Sequence, residues 1–93
     1  MNMIKTVEQE GVLSVSFRGR LEDPTVIMQL FHSLEGVEEL HLDLQKLNSL
    51  SPMGLHALAA VQKYMRDHGK IVEYSLNGVM MKTFATSGFL FLF

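Results

Sequence analysis

The feature that most constrains this sequence is an alternating strand followed by a long amphipathic helix and then a second strand. Residues 40–44 alternate strictly between leucine and polar side chains, which is typical of a half-buried strand. Apolar residues then recur at helical spacing over residues 55–65, and Gly69 is placed to end that helix. Residues 71–74 form a short second strand pattern. This succession predicts an α/β domain.

The N-terminal third of the chain extends the pattern. Residues 5–10 and 12–17 are predicted to be two strands, joined into a hairpin by a turn at Gly11. A first helix is predicted over residues 24–34, with Asp23 as its N-cap and a proline in its first position. Together these segments add two strands and a helix before the strand at residues 40–44.

The C-terminal part supplies one more helix and one more strand. A helix capped by Asn77 is predicted to stop at Gly88, and the apolar residues 89–93 suit a buried last strand. The order β-β-α-β-α-β-α-β predicts one α/β (α+β) domain over residues 1–93, built on a small mixed sheet with helices packed mainly on one face.

Composition and charge exclude several classes of function. The 93 residues contain no cysteine, so disulfides, thiol catalysis and cysteine-bound zinc are ruled out. The net charge of −2 is spread along the chain, and we expect no nucleic-acid binding. Neither a signal peptide nor a membrane-length apolar stretch is apparent, so we expect a soluble, cytoplasmic protein that does not insert into membranes.

Catalytic and metal-binding patterns are equally absent from the sequence. The histidines share neither the i, i+3 nor the i, i+4 spacing of a helical metal site, so no metal or other cofactor is expected; they are His32, His41, His56 and His68. Ser51 and His56 lie too far apart along a helix to act as a nucleophile and its base. We therefore expect a protein that is not an enzyme.

The helix start at Ser51 is the most distinctive local feature. Free backbone N–H groups and the positive end of the helix dipole can accept an anion or a partner's acidic side chain there. Pro52 removes one of those donors. From physical chemistry alone, a plainly capped helix is favoured over a binding site.

Three segments of the chain resemble the STAS domain family. Residues 42–55, LDLQKLNSLSPMGL, resemble without gaps the central D-L-S-x-V-x-x-I-D-S-S-G-L signature of that family. Residues 17–22, FRGRLE, resemble its G-x-L-D segment, and residues 83–89, TFATSGF, resemble its L-x-x-T-G-L helix end. The family contains anti-sigma-factor antagonists and the cytoplasmic domains of sulphate transporters.

The resemblance implies a fold and a function. The fold is a small mixed sheet with helices on one side, and the function is that of a non-catalytic bacterial interaction module in transcription regulation. The implied partner is an anti-sigma or histidine-kinase-like protein that docks at the start of the second helix. The predicted partner-binding residues are Glu22, Asp23, Ser49, Ser51, Pro52, Met53 and His56.

The sequence departs from the family at the position that matters most for regulation. Ser51 stands where the family has aspartate, and Pro52 stands where it has the serine that is phosphorylated. Met53 follows where the family has serine or threonine. Ser49 and Ser51 are the remaining hydroxyl groups that a kinase could use, but a capping serine is partly occupied by backbone N–H groups. We predict no regulatory phosphorylation here.

Two alternatives remain at this level. The domain could be a subunit or regulatory domain of a transporter, either a lipid ABC system with its ATPase or an anion transporter. It could instead sense a small ligand or anion held between the helix start and the loop at residues 21–23. The apolar residues 89–93 indicate either a longer intact chain with the family's usual C-terminal helix, or a strand covered by a partner or by a second copy in a homodimer.

Overall fold

The computed structural model describes the backbone of residues 3–87 and the side chains of residues 6–86. Within that part of the chain four strands form a single sheet in the order β1-β2-β3-β4. β1 runs antiparallel to β2, whereas β3 runs parallel to both β2 and β4, so the sheet is mixed, as predicted. The strands are β1 Met3–Gln9, β2 Val12–Leu21, β3 Glu39–Leu50 and β4 Ile71–Ser75.

A tight turn joins β1 to β2. Gln9 pairs with Val12, which leaves Glu10 and Gly11 as the two loop residues. Both have positive φ angles, 53° at Glu10 and 80° at Gly11. This is the conformation of a type I′ hairpin turn, and glycine adopts it without a steric penalty. The predicted hairpin at Gly11 is confirmed.

Helices make the crossings that parallel strands require. α1, Pro24–Met28, continues into a 3-10 helix, Gln29–Ser33, and connects β2 to β3. α2, Pro52–Asp67, connects β3 to β4. α3, Gly78–Ser87, follows β4. None of these helices within residues 3–87 is both long and apolar enough to cross a membrane.

Several predicted boundaries differ from the structure. The second strand runs to Leu21 rather than ending at residue 17. The first helix, predicted as one element over residues 24–34, changes to a 3-10 helix after Met28, because so short a helix tightens easily at its C-terminal end. The third strand runs to Leu50 rather than ending at residue 44, since its second half pairs with the end of β2. The predicted strand at residues 89–93 and the helix stop at Gly88 lie outside the described residues.

The core lies between the sheet and the helices. Alternate residues of β2 and β3 are buried. Ser14 in β2 and His41 in β3 each lie between two buried residues and point to the other side of the sheet. The helices contribute residues at the three- and four-residue spacing that the sequence predicted. The buried side chains include Leu13, Val15, Phe17, Leu40, Leu42, Leu44, Ile27, Leu58, Val61, Met65, Met80 and Phe84.

Candidate functional site

The start of α2 lies where two parallel strands end side by side. Leu21, the last residue of β2, pairs with Leu50, the last residue of β3. The backbone N–H of Ser51 then donates to the carbonyl of Leu21 over 3.1 Å. The start of α2 and the loop after β2 therefore lie next to each other, beyond the carboxyl ends of β2 and β3.

The hydroxyl group of Ser51 makes two hydrogen bonds. It accepts from the backbone N–H of Gly54 over 3.0 Å, which caps α2 and confirms the predicted cap. It also donates to the carbonyl of Glu22 over 3.0 Å. The single hydroxyl thus ties the loop after β2 to the first turn of α2.

The two acidic residues of that loop lie beside the helix start. Asp23 caps α1 by accepting from the backbone N–H of Thr25 over 2.9 Å, as predicted. This backbone hydrogen bond stabilises the carboxylate and lowers the pKa of Asp23 below its usual value. Glu22 is exposed, with an oxygen 3.9 Å from a nitrogen of the Arg20 guanidinium. Negative charge therefore flanks the surface next to Ser51.

Gly54 allows this close packing. A Cβ atom at Gly54 would lie 2.9 Å from the carbonyl oxygen of Leu21 and 2.9 Å from Cδ1 of Leu50, so only glycine fits without a shift. Gly54 is absent from the predicted site. The sequence could have indicated it, because glycine in the first turn of a helix lowers helix stability and is expected only where close packing requires it.

The outward side of the helix start is partly apolar. Pro52 and Met53 are exposed, and 60% of Met53 is accessible to solvent. Ser49 is half-buried in β3, where it pairs with Arg20. His56 lies one turn further along α2. It borders an open hollow of about 430 Å³ with Ala59, Ala60, Gln62, Lys63 and Arg66.

The structure therefore brings most of the predicted residues to one surface. Glu22 is tied to Ser51 through its carbonyl, and Asp23 follows Glu22 in the same loop. Pro52 and Met53 project from the same helix turn. His56 extends this surface along α2 toward the hollow. The hydroxyl of Ser51 contacts backbone groups on both sides, so its hydrogen bonds serve to hold the loop and the helix together.

This architecture is a STAS-like fold, as the resemblance in sequence predicted. The anti-sigma factor antagonist SpoIIAA in its unphosphorylated form has a similar structure, with a TM-score of 0.68 and 10% identity over 87% of this chain and 80% of SpoIIAA. SpoIIAA in its phosphorylated form, described as a Bacillus cell fate determinant, gives 0.68 and 12% identity over 90% of this chain and 82% of that one.

A crystal structure of Mglu is also similar, with a TM-score of 0.66 and 15% identity over 75% of this chain. The match covers 18% of the Mglu chain, so the present domain corresponds to about a fifth of that protein. No protein-family model matches the sequence, and no curated protein sequence matches it. At these identities the similarities establish the fold alone.

Proposed function

We propose that this chain is a non-catalytic protein-interaction module that works like an anti-sigma-factor antagonist and binds its partner through the start of α2. The observation that carries the proposal is the exposed Met53 on a helix start that is bound firmly to the end of β2. The similarity to SpoIIAA, an anti-sigma factor antagonist, supports the same class of partner. We place the module in the bacterial cytoplasm, acting in transcription regulation.

The composition of this surface suits a protein contact. Met53 and the ring of Pro52 supply an apolar centre, and thioether side chains adapt well to a partner's shape. The flanking acids Glu22 and Asp23 and the polar Ser49, Ser51 and His56 form a polar surround, as at many protein interfaces. Because the backbone here is already fixed by hydrogen bonds, little ordering entropy opposes binding.

The same hydrogen bonds argue against the small-ligand alternative. A ligand held between the helix start and the loop would need space between Ser51 and Glu22. Their direct hydrogen bond of 3.0 Å brings the two segments together instead. A contact across the outer surface of both segments is therefore favoured over a ligand held between them.

The proposed contact lacks a phosphoserine switch. Pro52 occupies the position that the resemblance assigns to the phosphoacceptor, and it has no hydroxyl group. The hydroxyl of Ser51 already donates to the carbonyl of Glu22 and accepts from the backbone N–H of Gly54. Transfer of a phosphoryl group from ATP to this oxygen would displace the proton that it donates and so break the bond to Glu22. Incubation with the cognate kinase and ATP is expected to leave the intact mass unchanged. A stoichiometric phosphate on Ser51 or Ser49 would contradict this.

The docking surface is tested by Met53→Asp. We expect this change to weaken the partner complex by more than about tenfold, because a carboxylate would be desolvated in an apolar contact. An acidic residue in the first turn of a helix interacts favourably with the helix dipole, so the fold should tolerate the change. Affinity purification from the native host identifies the partner, and titration calorimetry then gives the affinities.

Met81→Asp is the matched control for that experiment. Met81 is 59% exposed on α3, close to the 60% of Met53, and lies outside the proposed surface. The Met81→Asp variant should bind the partner with the affinity of the wild type. Equal affinities of the Met53 and Met81 variants would rule out the helix start as the contact. Recovery of a transporter ATPase instead of a kinase-like protein would redirect the partner class to the transport alternative.

A further inference from the structure

The outer face of the sheet carries a cluster of one histidine and two glutamates. Glu39 and His41 are two residues apart on β3, so their side chains share a face. Glu73 lies directly opposite His41 on the neighbouring strand β4. The cluster sits near the amino end of β3, whereas the proposed docking surface lies beyond its carboxyl end.

The three side chains converge on one point. Nε2 of His41 lies 3.5 Å from Oε1 of Glu39 and 3.4 Å from Oε2 of Glu73, and one candidate ligand atom from each residue lies within 4.8 Å of the others. This nitrogen is shielded from solvent and has no hydrogen-bond partner among the described residues. A buried nitrogen facing two carboxylate oxygens without a hydrogen bond is costly unless another group joins them.

We propose that Glu39, His41 and Glu73 bind a divalent transition-metal ion, with zinc as the reference ion. Zinc lies about 2.0–2.2 Å from imidazole nitrogen and carboxylate oxygen, and tetrahedral geometry at these lengths places the ligands roughly 3.3–3.5 Å apart. The two separations between His41 and the glutamates, 3.4 Å and 3.5 Å, agree with that geometry, and all three candidate ligand atoms lie within 4.8 Å of one another. Two carboxylates also balance the charge of a divalent cation.

The chemistry of the ligands narrows the class of metal. Imidazole suits zinc, copper and nickel, whereas calcium and magnesium prefer oxygen ligands alone. Three protein ligands leave one tetrahedral position for a water molecule, and the side chain of Glu73 is 61% exposed. The bound ion would connect β3 to β4.

The proposal departs from the absence of a metal site that the sequence predicted. That prediction considered histidine pairs on helices. The ligands found here come from two strands, and their proximity depends on the parallel register that pairs His41 with Glu73. A sequence pattern confined to one element does not contain that information.

The experiment titrates zinc alone into the full chain at neutral pH, by calorimetry and by thermal unfolding. We expect saturable 1:1 binding and a melting temperature that rises with zinc and falls again with a chelator. Glu73→Gln and His41→Gln should each weaken zinc binding by at least tenfold, since even the loss of an outer partner of a metal ligand costs roughly 10–100-fold. Cobalt should give the visible spectrum of a tetrahedral site.

His32→Gln and Glu35→Gln are the controls. Both residues are exposed and lie outside the cluster, so these variants should bind zinc within twofold of the wild type. Absence of saturable binding, or wild-type affinity in either cluster variant, would overturn the proposal, as would an equal loss in the controls. The experiment needs no protein partner, so its failure leaves the proposed docking surface untouched.

Discussion

Asn77→Ala is expected to lower the free energy of unfolding by about 1.5–5 kcal/mol, because one side chain makes three hydrogen bonds. Nδ2 of Asn77 donates to the carbonyl of Gln45 over 2.9 Å and to that of Leu47 over 2.8 Å. Oδ1 accepts from the backbone N–H of Met80 over 2.8 Å and caps α3. Loss of a cap costs roughly 0.5–2 kcal/mol, and each further hydrogen bond about 0.5–1.5 kcal/mol.

The change should also loosen α3 from β3, because the carbonyls of Gln45 and Leu47 would lose their side-chain partner. Urea unfolding measures the effect as a lower midpoint at an unchanged slope. Asn48→Ala is the matched control, since Asn48 is an exposed residue of β3. The free energy of unfolding of this variant should stay within about 0.5 kcal/mol of the wild-type value. If the two variants unfold at the same urea concentration, Asn77 does not hold α3 in place.

The sequence predicted the elements whose signals are local. The alternation of residues 40–44 and the stripe on α2 each follow from one element meeting one core, so periodicity is enough to find them. The caps at Asp23, Ser51 and Asn77 were also predicted, because a capping side chain and its backbone target are at most three residues apart. Contacts of this range are visible in a sequence.

The features that were missed depend on partners far along the chain. Residues 45–50 do not alternate, and they stay in β3 because they pair with β2 through two register shifts. Gln62 is buried on α2 because it accepts a hydrogen bond from the Tyr74 hydroxyl, twelve residues away. Burial in turn raises the pKa of Tyr74 above its usual value. None of these partnerships follows from spacing within one element.

The candidate site shows the same division. Resemblance in sequence located the helix start, but the tie between its hydroxyl and the loop joins Ser51 to Glu22, 29 residues earlier. The need for glycine at position 54 likewise arises from Leu21, at the end of another strand. Resemblance in sequence thus pointed to the start of α2, and the pairing of β2 with β3 determines how firmly that helix start is held.

Gly54→Ala tests how firmly the helix start is held, and we expect it to destabilise the fold by about 1–3 kcal/mol. In an ordinary helix the same change stabilises by up to about 1 kcal/mol, because alanine has the higher helix propensity. Here the added Cβ would lie 2.9 Å from the carbonyl oxygen of Leu21, a backbone atom that cannot move aside cheaply. It would also lie 3.3 Å from the Ser51 hydroxyl oxygen.

Gly78→Ala is the control that shows whether a change from glycine to alanine in a first helical turn raises or lowers stability. Gly78 is also in the first turn of a helix, but a Cβ there meets nothing within 4 Å, so stability should be unchanged or raised. Urea unfolding of both variants gives the comparison, and partner titration should show weaker binding only for Gly54→Ala. If both variants are equally stabilised, the start of α2 can shift away from β2 freely. The backbone that carries Met53 would then not be held in place, and the docking proposal would lose its structural support.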